Sequence, residues 1–234
     1  MQNLNPTRLT TRRSRDAMIL GALLLLSGLL AGLIGLFILL LNVSNFIGFT
    51  FFLIAIALLV AGVVFMIRGL RMRMENEPAL LVGQMLEREL DRRYTFIRNI
   101  GRRGLGYIDA VLVGPPGALV FRIVDKPGIY LNEGADWLER VGGKPFMLSR
   151  MNATRECVHD VYALRTYLAK RGLSQVPVYA IVVFTAPHVQ LSARQPTVPV
   201  AELRTLMQVM RSDFMAETRI DAPTIEATVK AIYE

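Results

Sequence analysis

Two ionisable side chains interrupt two otherwise apolar runs: Asp109 in the stretch from Tyr107 to Val113, and Arg122 in the stretch from Ala118 to Val124. A charge inside such a run is costly to bury unless it is paired or binds a metal, so these two residues carry the functional question. An aspartate could help hold a divalent cation if further carboxylates converged on it, and a lysine could then position or activate a water. The elements that must place them are short and rich in β-branched residues, and Gly114-Pro115-Pro116-Gly117 between them is turn chemistry. The pattern predicts two strands joined by a tight turn, buried on both faces as in the middle of an α/β sheet.

Ile108-Asp109-Ala110-Val111-Leu112-Val113-Gly114-Pro115, then Gly117 and, after a second strand, Gly128, resembles the nuclease-related domain family, NERD. Gly83-Gln84 upstream and Asp136-Trp137, Asn152 and Val182-Val183-Phe184 downstream extend the resemblance over about Leu80 to Arg211. The resemblance implies a restriction-endonuclease-like fold with an acidic plus Glu-x-Lys metal site. Carried over residue by residue, the strand aspartate is kept as Asp109. The Glu and Lys of Glu-x-Lys fall on Arg122 and Val124, the helix glutamate on Gln84, and the glutamine four residues after the asparagine on Glu156. A guanidinium repels a cation and offers no acceptor, so the expectation is a degenerate site with no metal and no cofactor, in which Arg122 pairs with Asp109 at about 2.7–3.0 Å. The alternative is a rearranged nuclease that keeps Mg²⁺. There Lys126, two residues past Val124 on the same strand face, stands in for the lysine.

Arg88, Arg92, Arg93, Arg98, Arg102 and Arg103 form a dense basic cluster that could contact phosphates. Acids are interleaved with them, and the expectation is a solvated face. Nucleic acid is the alternative partner for this cluster. Cys157 has no second cysteine to pair with, and with His159 and His188 it reads as structural.

Over 234 residues the mean hydropathy is +0.39 and 53% of side chains are apolar, more than an ordinary soluble domain carries. The excess is local. Residues 17–41 and 46–67 contain no charge, and each is long enough to cross a hydrocarbon core of about 30 Å as a helix. They are joined by Asn42-Val43-Ser44-Asn45, which forces them antiparallel. The net charge of +8 belongs mostly to their flanks. Residues 1–74 hold seven arginines against Asp16, a balance of +6, and the other 160 residues hold 20 basic and 18 acidic side chains, +2. Arginines at both outer ends and none in the loop predict an inner-membrane hairpin with both termini and the soluble domain cytoplasmic. Gly21, Gly28 and Gly35 recur every seven residues in the first span, as do Gly48, Ala55 and Gly62 in the second. This spacing predicts a close helix–helix seam, with Gly28 and Gly32 as a second small face for a membrane-protein partner or a homodimer.

The expected organisation is a basic, unstructured arm over 1–16, the hairpin over 17–67, a linker over 68–77 and an α/β domain over 78–234. Within that domain we expect a helix from Pro78, a strand from Tyr94 to Ile100, a turn at Gly101–Gly104, edge strands near Ile129 and Met147 around a Gly-rich excursion bearing Trp137, a helix from Asn152 to Arg171, a strand from Val176 to Phe184, and helices over Val200–Arg211 and Ala222–Tyr233. This is a mixed β-sheet flanked by helices. The functions consistent with it are a membrane-anchored, non-catalytic binding or assembly module, a metal-dependent nuclease, or a structural subunit of a membrane complex.

Overall fold

The computed structural model describes residues 1–5, 8–41, 44–73, 77–140, 142–143 and 145–233. In chain order the elements are β1 (Gln2–Leu4), α1 (Arg8–Leu40), α2 (Asn45–Arg73), α3 (Glu77–Glu89), β2 (Thr95–Arg102), β3 (Gly106–Gly114), β4 (Gly117–Val124), β5 (Ile129–Glu133), β6 (Asp136–Arg140) and β7 (Met147–Leu148). They continue with α4 (Ala153–Ala169), β8 (Val178–Phe184), β9 (Gln190–Arg194), β10 (Val200–Glu202), α5 (Leu206–Asp213) and α6 (Ala222–Tyr233). The chain divides into two units, one of residues 1–6 and 76–234 and one of residues 7–75.

In the smaller unit, Met18–Leu40 and Asn45–Ile67 are each long and apolar enough to cross a membrane. They run antiparallel with their small residues facing one another. A Cβ placed on Gly62 would sit 2.7 Å from Leu25 Cγ and 3.0 Å from the Gly21 carbonyl oxygen. One on Gly28 would sit 2.9 Å from Leu59 Cγ, and one on Gly35 3.0 Å from the Gly48 carbonyl oxygen. Gly32 is different, since a Cβ there would meet Ala55 Cβ at an ordinary 3.6 Å. The hydroxyls of Ser27 and Thr50 each donate to the carbonyl four residues back, at 2.8 Å, so neither is left without a partner inside its helix. Asn42 and Val43 of the connecting loop lie outside the described residues.

The larger unit is built on a six-stranded sheet in the order β1-β2-β3-β4-β8-β10. β2, β3 and β4 form an antiparallel meander; α4 then carries the chain across to β8, which pairs parallel to β4. Alternation along the strands makes two core layers. Val111, Val113, Val120 and Val124 pack with α4 on one face, and Ala110, Leu112, Leu119 and Phe121 pack with Val82 and Leu86 of α3 on the other. Helix, meander, helix and parallel strand make a mixed α/β fold, compatible with a restriction-endonuclease-like core. A second sheet, β7-β6-β5-β9, is formed by the chain following β4 and β8.

Several expectations need correction. The segment 1–16 is not an unstructured arm: Gln2, Asn3 and Leu4 pair parallel with Thr95, Phe96 and Ile97, and α1 begins at Arg8. Three residues carry no local signal, and it is the β2 edge that orders them. The expected linker is largely helical, with α2 reaching Arg73 and α3 starting at Glu77, while 74–76 lie outside the described residues. β2 runs on through Gly101 and Arg102 because they pair with Tyr107 and Gly106, so the turn is shorter than its glycines suggest. Trp137 sits in a strand and is 1% exposed, its indole N–H donating to Thr154 Oγ1 at 2.8 Å. Val200–Arg211 is not one helix. Its first three residues form β10 against Val182, Val183 and Phe184, and only Leu206–Asp213 is helical.

Candidate functional site

Asp109 and Arg122 face each other one position beyond the end of the β3–β4 ladder, whose last pair on that side is Ala110 with Phe121. Here the two strands part, and the Asp109 carboxylate takes over from the missing backbone pairing: it accepts the Ile123 amide N–H at 2.9 Å. Arg122 donates to the same oxygen, Oδ2, at 3.4 Å, longer than the expected 2.7–3.0 Å. The guanidinium is shared. Its other terminal nitrogen forms a closer ion pair with Glu156, on the first turn of α4. The side chain of Arg122 is 28% exposed, that of Asp109 9% and that of Glu156 46%, so the cluster runs from core to surface.

Asn152 caps α4 by accepting the Arg155 N–H at 2.9 Å, and this fixes the helix phase. Glu156 and Asp160, four residues apart, then fall on one face beside the guanidinium. Burial raises the carboxyl pKa of Asp109 above the usual range, opposed by the Ile123 amide and the Arg122 charge and reinforced by Glu156. Burial likewise raises Asp160, opposed by His159 and Arg122. Cys157, between them in sequence, is fully buried and its thiol is pushed up to about 12, chiefly by burial, so it is no nucleophile at neutral pH. Asp160 was missed in the sequence; the signal was its i,i+4 spacing from Glu156 on an apolar helix.

The remaining family positions do not join this cluster. Gln84 is exposed on α3, which packs against the opposite face of the sheet. Val124 is a core residue, 5% exposed. Lys126 lies beyond the end of β4 and is exposed, so the strand period that would have aimed it no longer applies. Among the described residues no group of three His, Cys, Asp or Glu side chains is placed to hold a metal. The donor set does not suit a cation either, since a guanidinium lies between the Asp109 and Glu156 carboxylates.

The six arginines do not make one solvated face. Arg98 is 7% exposed, with its Nε donating to Asn3 Oδ1 at 3.0 Å. Arg102 Nε donates to the Ile232 carbonyl at 3.2 Å, completing the C-terminal end of α6. Arg93 pairs with Asp91 at 2.7 Å. Arg92 and Arg93 both line a groove of about 550 Å³ with Gln2, Thr95 and Ile225. Arg88 and Arg103 are exposed. The glycines of the hairpin lie in the smaller unit, as described above.

Residues 74–185, just under half of the chain, match the family model described as nuclease-related domain, NERD. No curated protein and no solved structure matches the chain.

Proposed function

Since the chain carries a nuclease-related domain at residues 74–185, we propose that it is a membrane-anchored, non-catalytic member of that class, acting as a binding or assembly module at the cytoplasmic face of the inner membrane. The observation that carries this reading is the guanidinium of Arg122, held between the Asp109 and Glu156 carboxylates where the resemblance puts a metal. The expected outcome is that purified protein with Mg²⁺ or Mn²⁺ leaves single- and double-stranded DNA and RNA intact. Cleavage that disappears on Asp109→Ala would overturn the reading, because a contaminating nuclease would not depend on that residue.

Two observations support the anchor. The hairpin helices bear arginines at their outer ends only. Residues 2–4 belong to the same sheet as β2, β3, β4, β8 and β10, so both ends of the hairpin stay on one side of any membrane it enters, which two crossings satisfy. A cysteine at Ser44 should be labelled by an impermeant reagent on intact cells, and one at Tyr162 should not; the reverse pattern rejects the orientation.

Glu156 favours a second reading. Its carboxylate and that of Asp109 converge on one guanidinium, and if Arg122 swung outward they would offer two ligands to a cation. The same cleavage assay decides between the readings. Co-purification from native membranes would identify the partner of a binding module, or the membrane complex of which the chain is a structural subunit.

A further inference from the structure

The small sheet has two unlike faces. Side chains alternate along its strands, so Tyr130 and Trp137 turn into the core, where both stack against Phe184 with ring centroids 5.2 and 5.4 Å apart. Leu131, Leu138 and Leu148 form a row on the other face, joined across three strands by the pairings Leu131 with Leu138 and Leu138 with Leu148. The row ends at β7, the edge of the sheet, where Met147 is 54% and Leu148 71% exposed.

The chain around that edge, Arg140 to Arg150, reads Arg-Val-Gly-Gly-Lys-Pro-Phe-Met-Leu-Ser-Arg, with three basic residues and no acid. The Arg140 guanidinium carbon lies 4.8 Å from the Phe146 ring centroid, so cation and ring form one amphipathic unit. The adjacent acid, Glu139, accepts the Ser149 hydroxyl at 2.8 Å. Exposed aliphatic side chains flanked along the chain by Arg140 and Arg150, with the acids of that face, Glu133 and Asp136, paired at the other end of the β5–β6 ladder, match a surface that is anionic outside and apolar beneath, which is the head-group layer of a bilayer. A second copy of this chain is a poorer match, since a two-fold contact would bring the cations against their own counterparts.

We propose that the β7 edge, Phe146 to Leu148 with Arg140 and Arg150, is a second membrane contact that beds in the head-group layer of an anionic bilayer. The inference rests on the hairpin being membrane-spanning, and its test separates the two.

In the full-length chain with Cys157→Ala, single cysteines at Leu148, Tyr162 and Leu30 are labelled with an environment-sensitive fluorophore. Each is then reconstituted into vesicles of phosphatidylcholine and phosphatidylglycerol. Lipids carrying a nitroxide near the head group should quench the label at Leu148→Cys and spare that at Tyr162→Cys, which is 63% exposed on α4. Nitroxides deep in the tails should quench Leu30→Cys. Quenching at Leu30→Cys without any at Leu148→Cys overturns the β7 contact and leaves the hairpin reading standing. No quenching at Leu30→Cys overturns the hairpin reading itself, and the β7 contact with it. Equal quenching at Leu148→Cys and Tyr162→Cys rejects β7 as the contact, and so does a Leu148→Cys label shielded from aqueous iodide yet untouched by lipid nitroxides, because protein then covers it.

Discussion

Along the hairpin, two helices meet where side chains are missing: a Cβ on Gly62 or Gly28 would collide with the facing helix at 2.7 and 2.9 Å. At the Asp109 corner, two strands part where charge is present, and a carboxylate bonded to a backbone amide and a shared guanidinium fill the opening. The first contact rests on shape and uses no polar partner; the hydroxyls of Ser27 and Thr50 are exposed and bond to their own helices. The second rests on compensation between groups that would each be costly alone. A shape contact fails when anything is added. A compensated contact fails when one thing is removed and is largely restored when its partner goes too.

The largest expected effect tests compensation. Arg122→Met leaves Asp109 buried beside a single amide donor and should destabilise the chain by about 3 kcal/mol, the lower end for breaking a buried pair because the arginine keeps some contact with water. Arg122→Met with Asp109→Leu should recover much of that loss in denaturant titrations of the full chain. A double variant no better than the single would mean that the corner is held by packing, and the contrast with the hairpin would collapse. Next comes Gly62→Leu, for which overpacking predicts roughly 1 to 3 kcal/mol in detergent. Gly32→Leu should cost clearly less, since a Cβ there meets Ala55 at 3.6 Å. Equal effects would deny the seam its specific register.

The smallest effect is electrostatic. With its carboxyl pKa raised above the ordinary 3.8, folded Asp109 binds a proton that the unfolded chain has already released in the window between those values. Its contribution to stability is therefore fully present below 3.8 and is lost as pH rises through the folded pKa. The stability of the wild type relative to Asp109→Asn should fall with rising pH across that window. A difference that does not change with pH would mean Arg122 and Ile123 fully offset the burial.

What could be read from sequence follows the same division. Shape in the hairpin is periodic, so a seven-residue spacing of glycines names the seam residues that the structure sets face to face. α4 is legible for a similar reason, with Asn152 at its cap and an apolar stripe behind it. Compensation is not periodic. Arg122 beside Asp109 follows from two neighbouring strands, but its closer tie to Glu156 depends on the phase of a helix reached through three strands of the small sheet. Arg98 and Arg102 misled for the same reason: each is satisfied by a residue more than 90 positions away, Asn3 and Ile232. β1, β9 and β10 are short strands ordered by the edges they join, and such strands leave almost no local trace.

If the hairpin spans a bilayer, β1 couples sheet formation to membrane topology. Asn3 lies against Gly83, where a Cβ would come within 2.7 Å of its side-chain nitrogen, and it accepts from Arg98, so the first strand has a seat cut for it in α3 and β2. During synthesis β1 emerges before the hairpin and must wait for β2, which follows both apolar helices. If the hairpin spans a bilayer, a chain that crosses only once strands Gln2–Leu4 on the far side from their partners, and the β2 edge stays open. Correct insertion and a completed sheet then become one event, and the exposed edge of a misinserted chain is the kind of unfinished strand that quality-control proteases and aggregation both select.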